Sequence, residues 1–152
     1  APRFASFGPL ATHVRYLERT TRRLARALFH MMARYGPKLE KRQALLFRAV
    51  DIGADLYAMS AAVSRAEQIR RSGAPEAARA VELADLFCRQ TSRRIARSFR
   101  ALRSNDDVAK YATARRILAG EHRWLEGDLI KAEPMQSLLK ELEHREALAV
   151  QS

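Results

Sequence analysis

The stretch that decides the fold is THVRYLERTTRRLARALFHMMARYGP, residues 12–37. Its apolar positions recur at alternating spacings of three and four residues, which is the pattern of a helix with one buried face. Thr12 can cap the start of this helix, and Gly36-Pro37 ends it because proline disfavours a helical residue before it. The pattern therefore predicts a first helix whose apolar face packs against a partner. The positions on that face are Val14, Leu17, Thr21, Leu24, Leu28, Met31 and Tyr35.

Three further helical segments follow, separated by short connections. The second is predicted over residues 38–71, ends at Ser72-Gly73 and is apolar nearly all round, as the central helix of a bundle often is. A third is predicted over residues 74–103, and a shorter fourth runs from Ser104 to Leu118 or Ala119. Because short connections join antiparallel neighbours, we predict an all-α protein: an up-down antiparallel bundle of about four helices with a C-terminal helical extension.

The chain has 152 residues, a common size for a single domain. The predicted limits are a lead segment over residues 1–11, the bundle over 12–120 and the extension over 121–152, where Pro134 allows a last helix. The longest uncharged apolar stretch, residues 56–64, is about half of the roughly 20 residues that a membrane-spanning helix needs. The sequence therefore predicts no transmembrane segment.

Charge is distributed unevenly along the chain. Lys and Arg outnumber Asp and Glu by 28 to 17, which gives a formal net charge of +11. Residues 1–50 contain 11 basic and two acidic side chains, whereas residues 104–152 contain seven basic and nine acidic ones. A polarised basic surface attracts anionic partners, and nucleic acid, acidic lipid and an acidic protein face all qualify on charge alone.

The sequence contains no recognisable catalytic or metal-binding pattern. The single cysteine, Cys88, excludes an internal disulfide framework and a multi-cysteine zinc site, and it fits a reducing compartment. Cys88 falls on the inner face of the third helix, where we expect a small buried apolar residue. Asp51 and Asp55, one helical turn apart, could serve a metal or acid–base chemistry, but we favour an ion pair with Arg48 or with an arginine of a facing helix. We predict no catalytic residue, no metal ligand and no cofactor-binding residue in this chain.

Two rows of arginines are the strongest candidates for a binding role. Each row lies at helical spacing on the side of its helix opposite the apolar face, so it is either a solvated surface or a docking surface for lipid headgroups or an acidic protein. Nucleic acid is less well supported because no recognised binding motif accompanies the charge. The first helix contributes Arg15, Arg19, Arg22 and Arg26, and the third contributes Arg89, Arg93, Arg97 and Arg100.

Several motifs give the chain a family resemblance. Residues 51–59, DIGADLYAM, and residues 63–66, VSRA, resemble the Ile-Asp-Leu-Tyr-Ala-Met and Leu-Ser-Arg-Ala runs near the C-terminus of very-long-chain-type acyl-CoA dehydrogenases. Residues 35–46 are similar to the family's Tyr-Gly-x-x-Leu…Glu-Gln-x-Leu-Leu connection, with Arg42 in place of the glutamate. Residues 84–88, ADLFC, are similar to its Asp-x-Phe/Trp-Cys helix. The resemblance covers about residues 12–125.

This resemblance implies a helical domain rather than a whole enzyme. In the family, the flavin site, the acyl-CoA cleft and the catalytic glutamate belong to the preceding dehydrogenase region, so none of these residues is expected here. FAD is expected only in the parent enzyme, and the preceding dehydrogenase region is the expected partner. The domain would complete the fold, support a homo-oligomer or dock to an anionic surface, since mitochondrial members are associated with membrane attachment.

The first residues suggest a processed chain or a piece of a longer one, because Ala1 is not a methionine. The excess of arginine over lysine suggests a bacterial source. We expect a cytoplasmic location, with peripheral association with the membrane as an option. The alternative is a freestanding basic bundle that binds nucleic acid, an acidic protein or a membrane.

Overall fold

The computed structural model describes residues 4–125. The chain divides into two compact units, whose described parts are residues 4–105 and residues 106–125. Every regular element in these residues is helical, and none is a strand. The all-α prediction is therefore confirmed, whereas the predicted domain limits stay a prediction. None of the described helices is both long enough and apolar enough to cross a membrane.

Helix α1 spans Ala11–Tyr35 and follows a short 3-10 segment over Ala5–Leu10. The predicted cap is wrong: no side chain caps the helix, and the Thr12 hydroxyl instead accepts a hydrogen bond from Arg15 at 3.2 Å. The predicted end is confirmed at Gly36, whose φ of +48° favours glycine because it has no Cβ.

Helix α2 spans Gln43–Ser72, so its predicted start at Lys38 is wrong. Residues Gly36–Lys41 form a separate 3-10 helix. Pro37 supplies no backbone N–H and Gly36 has a positive φ, so the chain begins a new turn there before α2 starts. The predicted end of α2 is confirmed, because Gly73 has the left-handed φ of +70° at which many helices end.

Helix α3 spans Ala77–Ala101, slightly shorter at both ends than predicted. Helix α4, in the second unit, spans Asp107–Leu118, and Gly120 with a φ of +82° follows it as predicted. A 3-10 turn covers Arg123–Leu125. The helix predicted after Pro134 lies outside the described residues.

The first unit packs α1 and α3 along α2, which makes α2 the central helix. Its core joins Ile52, Met59 and Val63 of α2 to Cys88 and Ile95 of α3. Near the other end of α2, Leu45 and Ala49 pack with Met31 of α1. The 3-10 segment before α1 closes the end of the core with the fully buried Leu10, and the Arg70 guanidinium donates a hydrogen bond to the Ser6 carbonyl at 3.0 Å.

The apolar face of α1 lies nearly as predicted, with one displacement. Leu24 and Met31 pack against the core, but Thr21 is exposed and Thr20 is buried in its place. Consecutive residues are about 100° apart around a helix, so a one-residue shift moves a side chain from the surface to the core. His13 is also buried, which a purely apolar face does not anticipate.

Candidate functional site

Three side-chain contacts join α1 directly to α3. The His13 ring donates a hydrogen bond from Nε2 to Asp85 Oδ1 at 2.7 Å, and the Tyr16 hydroxyl donates to the Ser92 carbonyl at 3.3 Å. Further along, the Arg23 guanidinium lies 4.0 Å from the centre of the Phe99 ring. The partners advance together along both helices, so α1 and α3 run parallel and α2 runs antiparallel to both. The first unit is thus an up-down-up arrangement.

Asp85 of α3 accepts hydrogen bonds from both helices. It accepts hydrogen bonds from His13 and from Arg89, and these contacts lower the pKa of its carboxyl group despite the opposing effect of desolvation. His13 is therefore a structural histidine that ties two helices together. The two histidines of α1, His13 and His30, do not meet, as expected from their separation of 17 residues.

All eight predicted arginines lie on the exposed surface of α1 and α3. Two of them are already paired: Arg22 with Glu18 at 2.6 Å, and Arg89 with Asp85. The others have no carboxylate within ion-pairing distance in residues 4–125. The positive charge of the two rows is therefore only partly neutralised within the described structure.

A basic cleft opens between the C-terminal halves of α1 and α3. It is partly open to solvent and has a volume of about 700 Å³, which is typical of small-molecule sites. Its apolar wall includes Met31, Tyr35, Phe99 and Leu102. Its charged lining is entirely basic and consists of Arg23, Arg26, Arg34 and Arg103, and His30 also lines it.

Aromatic rings hold several guanidinium groups at this cleft. Arg23 lies over Phe99, and Tyr35 lies 5.7 Å from the guanidinium of Arg34 and 4.7 Å from that of Arg42. Arginine gains electrostatic and stacking stabilisation from a ring face, and its rotamers are restricted there. The rings thus preorganise cationic groups without neutralising them.

The spacing of basic residues on α1 also contains a signal for this cleft. The two predicted rows lie opposite the apolar face, a criterion that includes Arg26 but omits Arg23 and Arg34. Spacings of three, four and four residues join Arg23, Arg26, His30 and Arg34 on a flank of α1. Arg103 completes the lining because α3 packs beside α1. The spacing of residues along a single helix cannot predict this packing.

The two acidic residues singled out in α2 serve different roles. The guanidinium of Arg94 on α3 binds Asp55 through Nε at 2.9 Å and through a terminal nitrogen at 2.7 Å, so the predicted ion pair with a facing helix is confirmed. Asp51, one turn away, is exposed. Within residues 4–125, no group of three or more His, Cys, Asp or Glu side chains could hold a metal ion.

Glu67 is a buried charged residue that the sequence did not reveal. It accepts hydrogen bonds from Arg70 at 2.7 and 2.8 Å and from Arg71 at 2.6 Å. The hydrogen bond from Arg70, aided by that from Arg71, outweighs desolvation and lowers the pKa of Glu67 to about 2. This cluster lies at the C-terminal end of α2, where arginines also favour the helix dipole.

Cys88 is fully buried, as predicted. Burial, together with the nearby negative charge of Asp85, raises the pKa of its thiol to about 11. A buried thiol with a raised pKa is a poor nucleophile, so its role is packing.

The central helix also has an exposed apolar face. Phe47, Val50 and Tyr57 are 63–78% exposed and recur at spacings of three and seven residues, with Ala54 and Ala61 continuing the row. We call these five residues the α2 strip. The all-round apolar character of α2 predicts a central helix, which is its position here, but this side is open in the described structure.

Comparisons with known proteins agree with the motifs. The family model described as ACAD9/ACADV, C-terminal domain matches residues 8–120. The chain is also 46% identical over 127 residues to proteins named probable acyl-CoA dehydrogenase FadE10 from Mycobacterium bovis and from two strains of Mycobacterium tuberculosis. The alignment covers 84% of this chain and 20% of each relative, so the chain spans about a fifth of their length. The family resemblance is confirmed: the chain belongs to the family of ACAD9/ACADV C-terminal domains of acyl-CoA dehydrogenases.

Proposed function

We propose that the chain is the non-catalytic C-terminal domain of an FAD-dependent acyl-CoA dehydrogenase of fatty-acid β-oxidation. The observation that carries this proposal is the family match over residues 8–120 together with the 46% identity to proteins named acyl-CoA dehydrogenases. The parent enzyme would remove hydrogen across the α,β bond of an acyl-CoA and pass electrons to a flavoprotein. We assign no residue of this chain to flavin binding or to catalysis, and we place the protein in a bacterial cytoplasm.

The coding sequence upstream of Ala1 tests this proposal directly. We expect an in-frame dehydrogenase region with the flavin site. Stoichiometric flavin bound to the 152-residue chain alone would contradict the proposed division of roles, and so would a start codon immediately before Ala1.

The α2 strip is the surface that we assign to contact with the dehydrogenase region or with a second subunit. A row of large apolar side chains exposed on a central helix is costly in water and is characteristic of an interaction surface. The relatives are about five times longer than the matched segment, so most of the chain that could cover the strip lies outside it.

Paired substitutions test this contact in the full-length enzyme. We expect Phe47→Ser with Tyr57→Ser to lower the thermal midpoint and loosen the oligomer, while leaving the midpoint of the 152-residue chain nearly unchanged. Phe29→Ser removes an equally exposed phenylalanine from α1 and serves as the control. Light scattering and thermal melts measure both effects. Equal effects of the strip and control variants would contradict the assignment.

For the arginine rows we propose docking to an anionic membrane surface at the periphery. Exposed basic side chains near a membrane each add attraction to acidic lipid. Arg19, Arg93 and Arg97 should contribute more than Arg22 and Arg89, because the latter two already bind carboxylates.

Vesicle sedimentation at physiological salt tests this docking. Replacing Arg19, Arg93 and Arg97 by Gln should release the protein from phosphatidylglycerol vesicles, whereas Arg115→Gln with Arg116→Gln on α4 should not. If both variants lose vesicle binding to the same extent, binding depends on the net charge and not on the arginine rows. Tight, salt-sensitive binding to duplex DNA in place of vesicles would instead favour the alternative of a freestanding nucleic-acid-binding bundle.

A further inference from the structure

The basic cleft between α1 and α3 is concave and strongly charged, and it shares only Arg26 with the two arginine rows. Arg23, Arg26, Arg34 and Arg103 have no carboxylate within ion-pairing distance in the part of the chain that the structure describes. Like charges brought together repel each other, and low-dielectric walls focus their field into the cleft. An anion with several charges would relieve this repulsion.

Phosphate groups suit this lining best. Guanidinium groups bind phosphate oxygens with paired hydrogen bonds, and the cleft brings three arginines of α1 together with Arg103, which follows the end of α3. Arg26 and Arg34 lie about 12 Å apart along α1, and their long side chains can converge on the adjacent phosphates of one molecule. Aromatic contacts already restrict Arg23 and Arg34, which reduces the entropy lost on binding.

The other wall of the cleft favours a ligand that also has an apolar or planar part. Met31, Tyr35 and Leu102 provide apolar surface beside the cations. Guanidinium planes and tyrosine rings both stack on heteroaromatic bases. A volume of about 700 Å³ accommodates a single small molecule of this kind, whereas a membrane would contact protruding side chains rather than a recess.

We propose that this cleft binds a small phosphorylated molecule of the nucleoside diphosphate class, with its phosphates among Arg26, Arg34 and Arg103 and its planar group beside Tyr35. The proposal concerns the described residues of this chain and does not depend on the dehydrogenase assignment.

Isothermal titration calorimetry of the 152-residue chain with ADP, pyrophosphate and adenosine tests the proposal. We expect one ADP per chain, with pyrophosphate and adenosine each binding at least about tenfold more weakly. Losing one charged hydrogen-bonding partner should raise the ADP Kd about tenfold or more in Arg26→Ala and in Arg34→Ala. Arg19→Ala and Arg97→Ala remove the same charge outside the cleft and should stay within about twofold. Circular dichroism checks that each variant is folded, and all four side chains are exposed.

Three results would overturn the proposal. Pyrophosphate binding as tightly as ADP would show that the apolar wall takes no part. An equal loss of ADP affinity in the cleft and control variants would show that ADP responds to the overall positive charge and not to the cleft. No ADP titration, together with phosphatidylglycerol vesicle binding that is lost in Arg34→Ala, would assign the cleft to a membrane.

Discussion

Carboxylates hold this domain together by fixing arginines and a histidine. Asp55 binds Arg94 across the α2–α3 boundary, and Asp85 receives hydrogen bonds from His13 of α1. Glu67 holds two arginines of its own helix. With so few acids among so many arginines, those in partly buried positions matter most, because exposed ion pairs contribute little stability.

Asp55→Asn should lower the free energy of unfolding by about 1 kcal/mol, because it removes the charge that receives both nitrogens of Arg94. Asp51→Asn is the matched control one turn away on the exposed side, and its effect should lie within about 0.5 kcal/mol. Urea denaturation of both variants measures the difference. A loss at Asp51 as large as that at Asp55 would refute the role of the ion pair.

Glu67 predicts a specific pH dependence. Its pKa is about 2 in the folded chain, against an ordinary value of 4.5, so the folded state keeps its charge while the unfolded state takes up a proton. The stabilisation is complete above pH about 4.5 and is lost as the pH falls toward about 2. Denaturant titrations across this range should show a steeper loss for the parent chain than for Glu67→Gln. The exposed Glu76→Gln serves as control and should retain the parent slope.

Cys88 should be unreactive in the folded protein. Its thiol is fully buried and its pKa is raised to about 11, so little thiolate is present or accessible at neutral pH. Labelling with a thiol reagent should therefore follow unfolding, being slow in buffer and complete in denaturant. Rapid stoichiometric labelling of the native chain would contradict this.

Helix α2 contains an unexpected glycine in its interior. A Cβ at Gly53 would meet only Leu24 Cδ2, at an ordinary contact distance of 3.9 Å. Close packing does not require glycine here. Its cost to the helix is therefore not repaid by packing within the described residues.

Gly53→Ala should stabilise the chain by about 0.5–1 kcal/mol, because alanine has the higher helix propensity and fits the available space. The neighbouring Ala54→Gly, on the exposed side of α2, should have the opposite effect of about 1 kcal/mol. Thermal or urea denaturation of the two variants decides the matter. A destabilising Gly53→Ala would mean that the added methyl group does not fit beside Leu24.

The helices could be predicted from sequence because their periods and stop signals are local. Gly36, Gly73 and Gly120 all end helices as expected, with positive φ. The connection before α2 could not be placed, because apolar residues such as Leu39 occur in both a 3-10 turn and an α-helix. Sequence spacing also could not predict that Thr20 rather than Thr21 is buried, because this depends on how α1 is rotated against α2.

The arginine rows could be predicted from the sequence, but the cleft could not, because it depends on how the helices pack. Charge rows on one helix follow from spacing, so all eight arginines lie on the surface as expected. Only Arg22 and Arg89 are paired, with Glu18 and Asp85, and which arginines stay unpaired depends on side-chain geometry. The cleft requires two parallel helices brought together by α2.

Across the described chain, burial is concentrated in the first unit. Every buried side chain in residues 4–125 lies between Leu10 and Phe99, and α4 buries none. Local stability follows such burial, because helices with few packed side chains open more easily.

Hydrogen exchange should therefore show the slowest amides in the middle of α2 and α3, with protection at least about tenfold lower along α4. Mass spectrometry of peptic fragments resolves these segments. Equal protection along α4 and α2 would show that α4 gains stability which its own side-chain burial does not supply.

The up-down-up order of the first unit has a mechanical consequence. With an odd number of antiparallel helices, the polypeptide comes in at one end of the bundle and departs from the other. A helix of 25 residues is about 37 Å long, so that distance separates the two attachment points. Tension applied through the flanking segments would run lengthwise along the helices and load the packed interfaces in shear. The unit therefore spans the full helix length between its two attachment points. A force on the flanking segments acts along the packed interfaces and does not rotate the unit about a single hinge.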